Sequence, residues 1–185
     1  MDYHGQRFRS LGEVRWASFF DRLGWPWEYE PFELDGYIHD FILKFSEPLL
    51  VEVKAEIRLD RLEHYARKIE RSGWQKEALI VGATLFEVDD CCGWPSVGGP
   101  PVALGIMGSD MGPNDSDALV EGGNWNWDNA ILGHCNICGM TVNQAQQSYS
   151  CRRNGCEYKH IDCSAFCHAQ LLWREATNRV QWKRP

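Results

Sequence analysis

Val51-Glu52-Val53-Lys54 sets a carboxylate and an ammonium two residues apart in a β-branched stretch. Side chains on a strand repeat every second residue, so Glu52 and Lys54 project from one face and Val51 and Val53 from the other. A core strand rarely carries two charges on one face. Upstream, Tyr37-Ile38-His39-Asp40-Phe41-Ile42-Leu43 also reads as a strand, and Ser46-Glu47-Pro48 supplies the turn that lets the two pair as a hairpin. Asp40 then lies near Glu52 and Lys54. Two carboxylates and a lysine gathered at a strand end can hold one or two divalent cations and support attack on a phosphodiester.

A second chemical cluster lies near the other end. Eight cysteines in a reducing compartment are thiolate ligands more naturally than disulfides, and six fall between Cys135 and Cys167. Cys135-Asn136-Ile137-Cys138-Gly139 has zinc-knuckle spacing, with a glycine that permits the tight turn. Cys151 and Cys156 are the nearest pair to close a tetrahedron, with Arg152 and Arg153 at the knuckle tip. Cys163 or Cys167 can substitute for them, and His160, Cys163, Cys167 and His168 form a possible second site. The arrangement resembles a zinc ribbon, although its second knuckle is wider than usual. Four thiolates leave no open coordination position, so zinc here is structural and a zinc hydrolase is disfavoured. Cys91 and Cys92 are adjacent, which ill suits one tetrahedral ion, and they read as structural or incidental.

The elements that must position the acidic set are legible. Ser10-Leu11-Gly12-Glu13 has the capping-box form, and Trp16, Phe19, Phe20 and Leu23 follow at helical spacing before Gly24 and Pro26. Glu13 is therefore either a helix cap or a member of the acidic site. A short strand at 27–31 follows. Asp60-Arg61-Leu62-Glu63 opens a second helix with Leu62, Tyr65, Ala66 and Ile69 as its apolar stripe, closed by Gly73. Its other side carries Arg61, His64, Arg67, Lys68 and Arg71, either a solvated face or a phosphate contact. Residues 77–82 read as a buried strand, so strand, helix and strand form a crossover unit. That unit implies an α/β fold with a mixed sheet flanked by helices.

Glu13, Asp40 and Glu52-Val53-Lys54, in that order, resemble the PD-(D/E)xK nuclease signature. The stretches Glu13-Val14-Arg15-Trp16-Ala17-Ser18-Phe19-Phe20, Trp27-Glu28-Tyr29-Glu30-Pro31 and His39-Asp40-Phe41 are similar to TnsA-like and phage-encoded members of that restriction-endonuclease-like superfamily. His39 stands where the signature usually has proline. The resemblance covers residues 1–85. It implies a magnesium- or manganese-dependent deoxyribonuclease, an endonuclease of phage or mobile-element DNA processing. Asp40 and Glu52 would coordinate the metal together with the Val53 carbonyl. Glu13 would serve a second metal, and Lys54 would orient water and stabilise charge on phosphorus. The alternative is a nuclease fold serving as a non-catalytic DNA-binding or assembly subunit, with the zinc tail as its docking surface.

Three segments are expected: a nuclease-like core at 1–107, a Gly/Asp/Asn-rich linker or insertion at 108–124, and a zinc-ribbon-like module with a C-terminal helix at 125–185. Residues 101–107 read as an edge strand. The chain is long enough for one domain plus a small module. The formal net charge of −7 is unevenly placed, since residues 86–134 hold eight carboxylates and no Lys or Arg, while 135–185 hold seven Lys and Arg against three carboxylates. The total therefore does not exclude a DNA partner, and Arg179 and Lys183, beside aromatics at the end, suit phosphate contact and stacking. A homodimer or a recombination or replication partner protein is compatible with the resemblance. No stretch approaches bilayer-spanning length and the N-terminus has no h-region, so a cytoplasmic protein without a membrane is expected.

Overall fold

A computed structural model describes residues 1–88, 102–111, 125–135, 137, 139–144, 161–162 and 166–181. In chain order the elements are β1 (Asp2–Tyr3), β2 (Gln6–Arg7), α1 (Leu11–Leu23), β3 (Trp27–Tyr29), β4 (Glu33–Leu34), β5 (Tyr37–Ile38), β6 (Phe41–Leu43) and β7 (Leu49–Val53). A 3-10 helix (Leu59–Tyr65), α2 (Ala66–Glu70), β8 (Ala78–Glu87), β9 (Val102–Asp110), β10 (Trp125–Cys135), β11 (Gly139–Gln144), β12 (Ile161–Asp162) and α3 (Phe166–Arg179) follow. The main sheet has the order β11-β10-β9-β8-β7-β6-β3, with β12 also on β10. It is mixed: β7 and β8 pair in parallel across the 3-10/α2 connection, and the other pairs are antiparallel.

Two apolar layers cover the sheet. On one face, Val14, Trp16, Phe19, Phe20 and Leu23 of α1 pack with Ala169 and Ala176 of α3 over Phe41, Leu43, Val51, Leu79 and Val81. On the other, Leu62, Ala66 and Ile69 pack over Ile42, Leu50, Ala78 and Ile80. Burying each such large side chain stabilises the fold by about 1.5–3 kcal/mol. The alternation expected for 51–54 appears in these layers, since Val51 faces α1 while Leu50, of the same parity as Glu52, faces the 3-10/α2 side.

α1 follows its sequence signals. Ser10 Oγ accepts from the Glu13 backbone N–H at 3.1 Å, and Gly24 caps the C-terminus at φ 66°. Other expectations are corrected. The second helix opens as a 3-10 helix at Leu59, and the Asp60 carboxylate inside its first turn is held by Arg58, Nε–Oδ1 3.0 Å and Nη2–Oδ2 2.6 Å. Tyr65, expected in the apolar stripe, is exposed. The strand expected over 37–43 is split into β5 and β6 at His39-Asp40, where the Asp40 carbonyl accepts from Glu30 N at 3.0 Å and its carboxylate accepts from Val53 N at 2.7 Å.

The strand expected at the sheet edge is interior, since β9 lies between β8 and β10, and residue 107 falls inside it. Strand β10 (Trp125–Cys135) continues the same sheet, with Trp125↔Asp110 through Ile131↔Ala103 pairing it to β9. α3 docks on α1, with the Trp173 ring 4.6 Å from Trp16 and 5.3 Å from Phe19, and Arg22 Nη1 2.5 Å from Glu175 Oε2. Strands β8 and β9 approach so closely that a Cβ on Gly105 would meet the Ile80 carbonyl oxygen at 1.9 Å. Gly105→Ala is expected to destabilise the protein by about 1–3 kcal/mol in a urea titration, as overpacking against backbone does. Among the described residues no helix is long and apolar enough to cross a membrane.

Candidate functional site

The hairpin β6–β7 runs in the register Phe41↔Val51, Ile42↔Leu50, Leu43↔Leu49, which sets Asp40 opposite Glu52 as the next pair outward. Both carboxylates are nearly buried, at 5% and 6% exposure. Asp40 Oδ2 accepts from Val53 N at 2.7 Å, and Oδ1 accepts from Arg9 Nη2 at 3.1 Å. Glu52 Oε2 accepts from the Tyr37 hydroxyl at 2.6 Å, and Oε1 is ion-paired with Lys54 Nζ, as two residues of one strand face can be. Lys54 also lies over the Tyr65 ring at 5.3 Å.

Glu13 stands behind this pair on α1. Its Oε2 accepts from Tyr29 Oη at 2.6 Å and from Arg9 N at 3.0 Å, one residue before the N-cap that a capping box would reach. Its own N–H is held by Ser10, so the residue serves the helix start and faces the acidic site together. Arg9 completes the group by reaching Glu30 Oε1 at 2.5 Å as well as Asp40.

The electrostatics follow from burial and like charge. Burial pushes the Asp40 carboxyl up to about 7; the Glu52 charge adds to the rise, and the Val53 N–H opposes it. Burial and then the Glu52 charge also push the Tyr37 hydroxyl up, so at neutral pH it is a donor to Glu52. Tyr29 is likewise pushed up, by burial and by its bond to Glu13. Arg9 is ion-paired with Glu30 and Asp40, and Lys54 with Glu52, whereas Glu13 accepts from Tyr29 Oη and the Arg9 backbone N–H.

Among the described residues no three His, Cys, Asp or Glu side chains stand close enough to form a metal-ligand set by themselves. The donors on offer are the Asp40 and Glu52 carboxylates with the Val53 backbone, all oxygen, which suits a hard cation rather than zinc. Arg9, Tyr29 and Tyr37 escape a reading by motif. The only signal for them is position: two tyrosines on short strands flanking the motif, and an arginine just ahead of the helix that bears Glu13. His39, in the place of the signature proline, is fully buried beside Phe32, with ring centroids 4.7 Å apart and neither ring nitrogen partnered among the described residues. Burial holds its pKa below the ordinary value.

The other predicted positions scatter. Arg61, Arg67, Lys68 and Arg71 are exposed on the 3-10/α2 segment. Arg179 is exposed on α3, with its guanidinium 5.6 Å from the Tyr3 ring centroid. The backbone of Cys135 ends β10 opposite Gly139, whose φ of 88° makes the hairpin turn that the knuckle spacing anticipates. Cys91, Cys92, Cys138, Cys151, Arg152, Arg153, Cys156, His160, Cys163 and Lys183 lie outside the described residues, as do the side chains of Cys135 and Cys167; His168 is exposed at the start of α3. Neither a family model, nor a curated protein, nor a solved structure matches this chain.

Proposed function

We propose that the protein is a magnesium- or manganese-dependent DNA nuclease of the PD-(D/E)xK, restriction-endonuclease-like type. The observation that carries the reading is the pair of neighbouring buried carboxylates, Asp40 and Glu52, one residue beyond the last β6–β7 pair, with Glu52 ion-paired to Lys54 and Asp40 raised to about 7. Such a pair is costly in a fold unless a proton or a cation relieves it. A bound divalent ion, held by Asp40, Glu52 and the Val53 carbonyl, would supply a water of lowered pKa and neutralise phosphate charge. Tyr37 fixes Glu52 by donating to one oxygen, which leaves the other turned to Lys54. Lys54 orients the attacking water and stabilises charge developing on the phosphoryl oxygens. Tyr29 fixes Glu13, and Arg9 moderates the charge of Asp40.

One observation favours a second reading, a nuclease-fold subunit that binds DNA or assembles without cutting it: Arg9 and Lys54 already pair with the two carboxylates that would hold the ion. Incubation of plasmid, linear and branched DNA with the protein in magnesium or manganese separates the two. The nuclease reading expects cleavage that a chelator stops, whereas intact DNA in all three cases supports the binding module.

In the same reading a structural zinc ion is held by Cys135, Cys138, Cys151 and Cys156. Support comes from the Cys135–Gly139 turn and from the spacing of the remaining thiols. Zinc modules of this kind gain on the order of 10–16 kcal/mol from the metal. Purified protein is expected to carry stoichiometric zinc by atomic absorption, and Cys135→Ser to lose it. Zinc-free wild type would remove the assignment.

A further inference from the structure

We propose that the cleft between α2 and the β4–β5 hairpin is a phosphate-binding pocket that grips the nucleic-acid strand beside the carboxylate pair, an inference that rests on the nuclease reading. The cleft is a cavity of about 240 Å³ lined by Asp35, Tyr37, Arg67, Lys68, Arg71 and Ser72. Its wall includes Tyr37, the residue whose hydroxyl donates to Glu52, so cavity and acidic site share one side chain.

What sets this group of cations apart is convergence, since three of them line one small cavity. Arg9, Arg22, Lys44, Lys54, Arg58 and Lys76 form ion pairs with carboxylates. Arg67, Lys68 and Arg71 make none among the described residues, as is also true of the scattered Arg7, Arg15, Arg61, Arg174 and Arg179. Arg67 and Arg71 are four apart on α2 and its C-cap, the spacing at which like charges repel. Of their acidic neighbours, Glu70 is engaged elsewhere, its Oε1 accepting from Trp127 Nε1 at 3.0 Å, and exposed Glu63, four residues before Arg67, forms no ion pair among the described residues. Among the described residues Asp35 is the one carboxylate lining the cavity.

The three cations are displayed from a firm base. Leu62, Ala66 and Ile69 are buried under the segment, and Ser72 Oγ donates to the Ile69 carbonyl at 2.6 Å where α2 ends. Two guanidinium groups and an ammonium over a small cavity suit a phosphate, which guanidinium binds in bidentate fashion. The volume is below the roughly 300–1,000 Å³ of sites that enclose drug-sized ligands, so it fits a phosphate with part of its sugar and not a base. The phosphate comes either from a strand terminus or from the interior of a continuous strand.

Fluorescence anisotropy distinguishes these sources. Labelled short single strands, with and without a 5′-phosphate, are titrated with zinc-loaded protein without added magnesium or manganese, so that no cleavage is read. Arg67→Gln/Arg71→Gln is compared with Lys44→Gln/Lys76→Gln, which removes the same charge elsewhere. The pocket variant is expected to bind roughly tenfold more weakly than the control variant and to lose about 0.7 from the slope of log affinity against log salt, one phosphate contact's worth. Wild-type affinity that rises with the 5′-phosphate and is competed by inorganic phosphate identifies a terminus. Affinity indifferent to the end identifies an interior phosphate, and either result supports the pocket. Equal affinities and equal slopes for the two double variants, with circular dichroism spectra unchanged, overturn it. Because binding is read without cleavage, wild type that cuts nothing while the pocket variant loses binding refutes the nuclease and keeps the pocket. Active wild type with equal binding by both variants does the reverse.

Discussion

Under the proposed nuclease reading, Asp40→Ala and Lys54→Ala are each expected to reduce metal-dependent cleavage of DNA by at least ~10³-fold, because losing a proposed metal ligand or the group proposed to stabilise phosphoryl charge would remove several kcal/mol of transition-state stabilisation. The two substitutions act differently on the fold. Asp40→Ala removes a raised, buried carboxyl that is bonded to Val53 N and Arg9. Lys54→Ala leaves Glu52 buried with Tyr37 as its remaining partner and is expected to lower the melting temperature. Cleavage rates measured at a temperature where both variants keep a wild-type circular dichroism spectrum separate catalysis from folding. Wild-type rates in either variant would remove that residue from the site.

Stability should fall with pH in a way that Asp40 controls. Its folded-state pKa, about 7, lies above the ordinary value of ~3.9, so the folded protein holds this proton more tightly than the unfolded chain does. The stabilisation is fully present below the unfolded value, and it is lost as pH rises toward and through the folded one. Between about pH 5 and about pH 8 the loss amounts to roughly 2–3 kcal/mol. For a chain of this size that is a fall of roughly 5–10 °C in melting temperature. Asp40→Asn carries no titrating proton and keeps an oxygen that can accept from Val53 N, so its melting temperature should fall less over the same range and exceed that of wild type near pH 8. An active site that becomes more stable when its chemistry is removed is the usual trade of function against stability. Magnesium should raise the wild-type melting temperature more at the alkaline end than at the acid end and leave the variant unmoved. Parallel pH profiles for the two proteins would show that Asp40 does not hold the proton.

Much of the scaffold around this pair was readable because each signal was local. The Ser10 cap and Gly24 stop bound α1, and the turn at 46–48 joins β6 to β7 in the register that puts Asp40 opposite Glu52. The parallel crossover from β7 to β8 follows from strand, helix and strand in succession. What escaped depends on partners distant in the chain. Arg9 meets Asp40 across 31 positions, and nothing around Arg9 marks it for an ion pair. The division of 37–43 reflects two different sets of partners, since β5 pairs with β4 while β6 pairs with β3 and β7, and no breaker residue marks it. The Gly-, Asp- and Asn-rich stretch 108–124 reads as a linker or an insertion, yet its first three residues complete β9. Trp125 and Trp127, alternating on β10 and stacked at 5.4 Å, were a strand signal, but the identity of their pairing partner is not encoded locally. The 3-10 start of the second helix lacked a local mark, since no side chain caps it and Asp60, inside its first turn, is paired with exposed Arg58.

The most direct measurement is manganese uptake by zinc-loaded protein near pH 8, followed by the electron paramagnetic resonance signal of the free ion, for wild type and Asp40→Asn. If Asp40 and Glu52 form a cation site, wild type depletes the free-ion signal and the variant does not over the same concentrations. Identical depletion by both proteins, or none by either, would contradict the account.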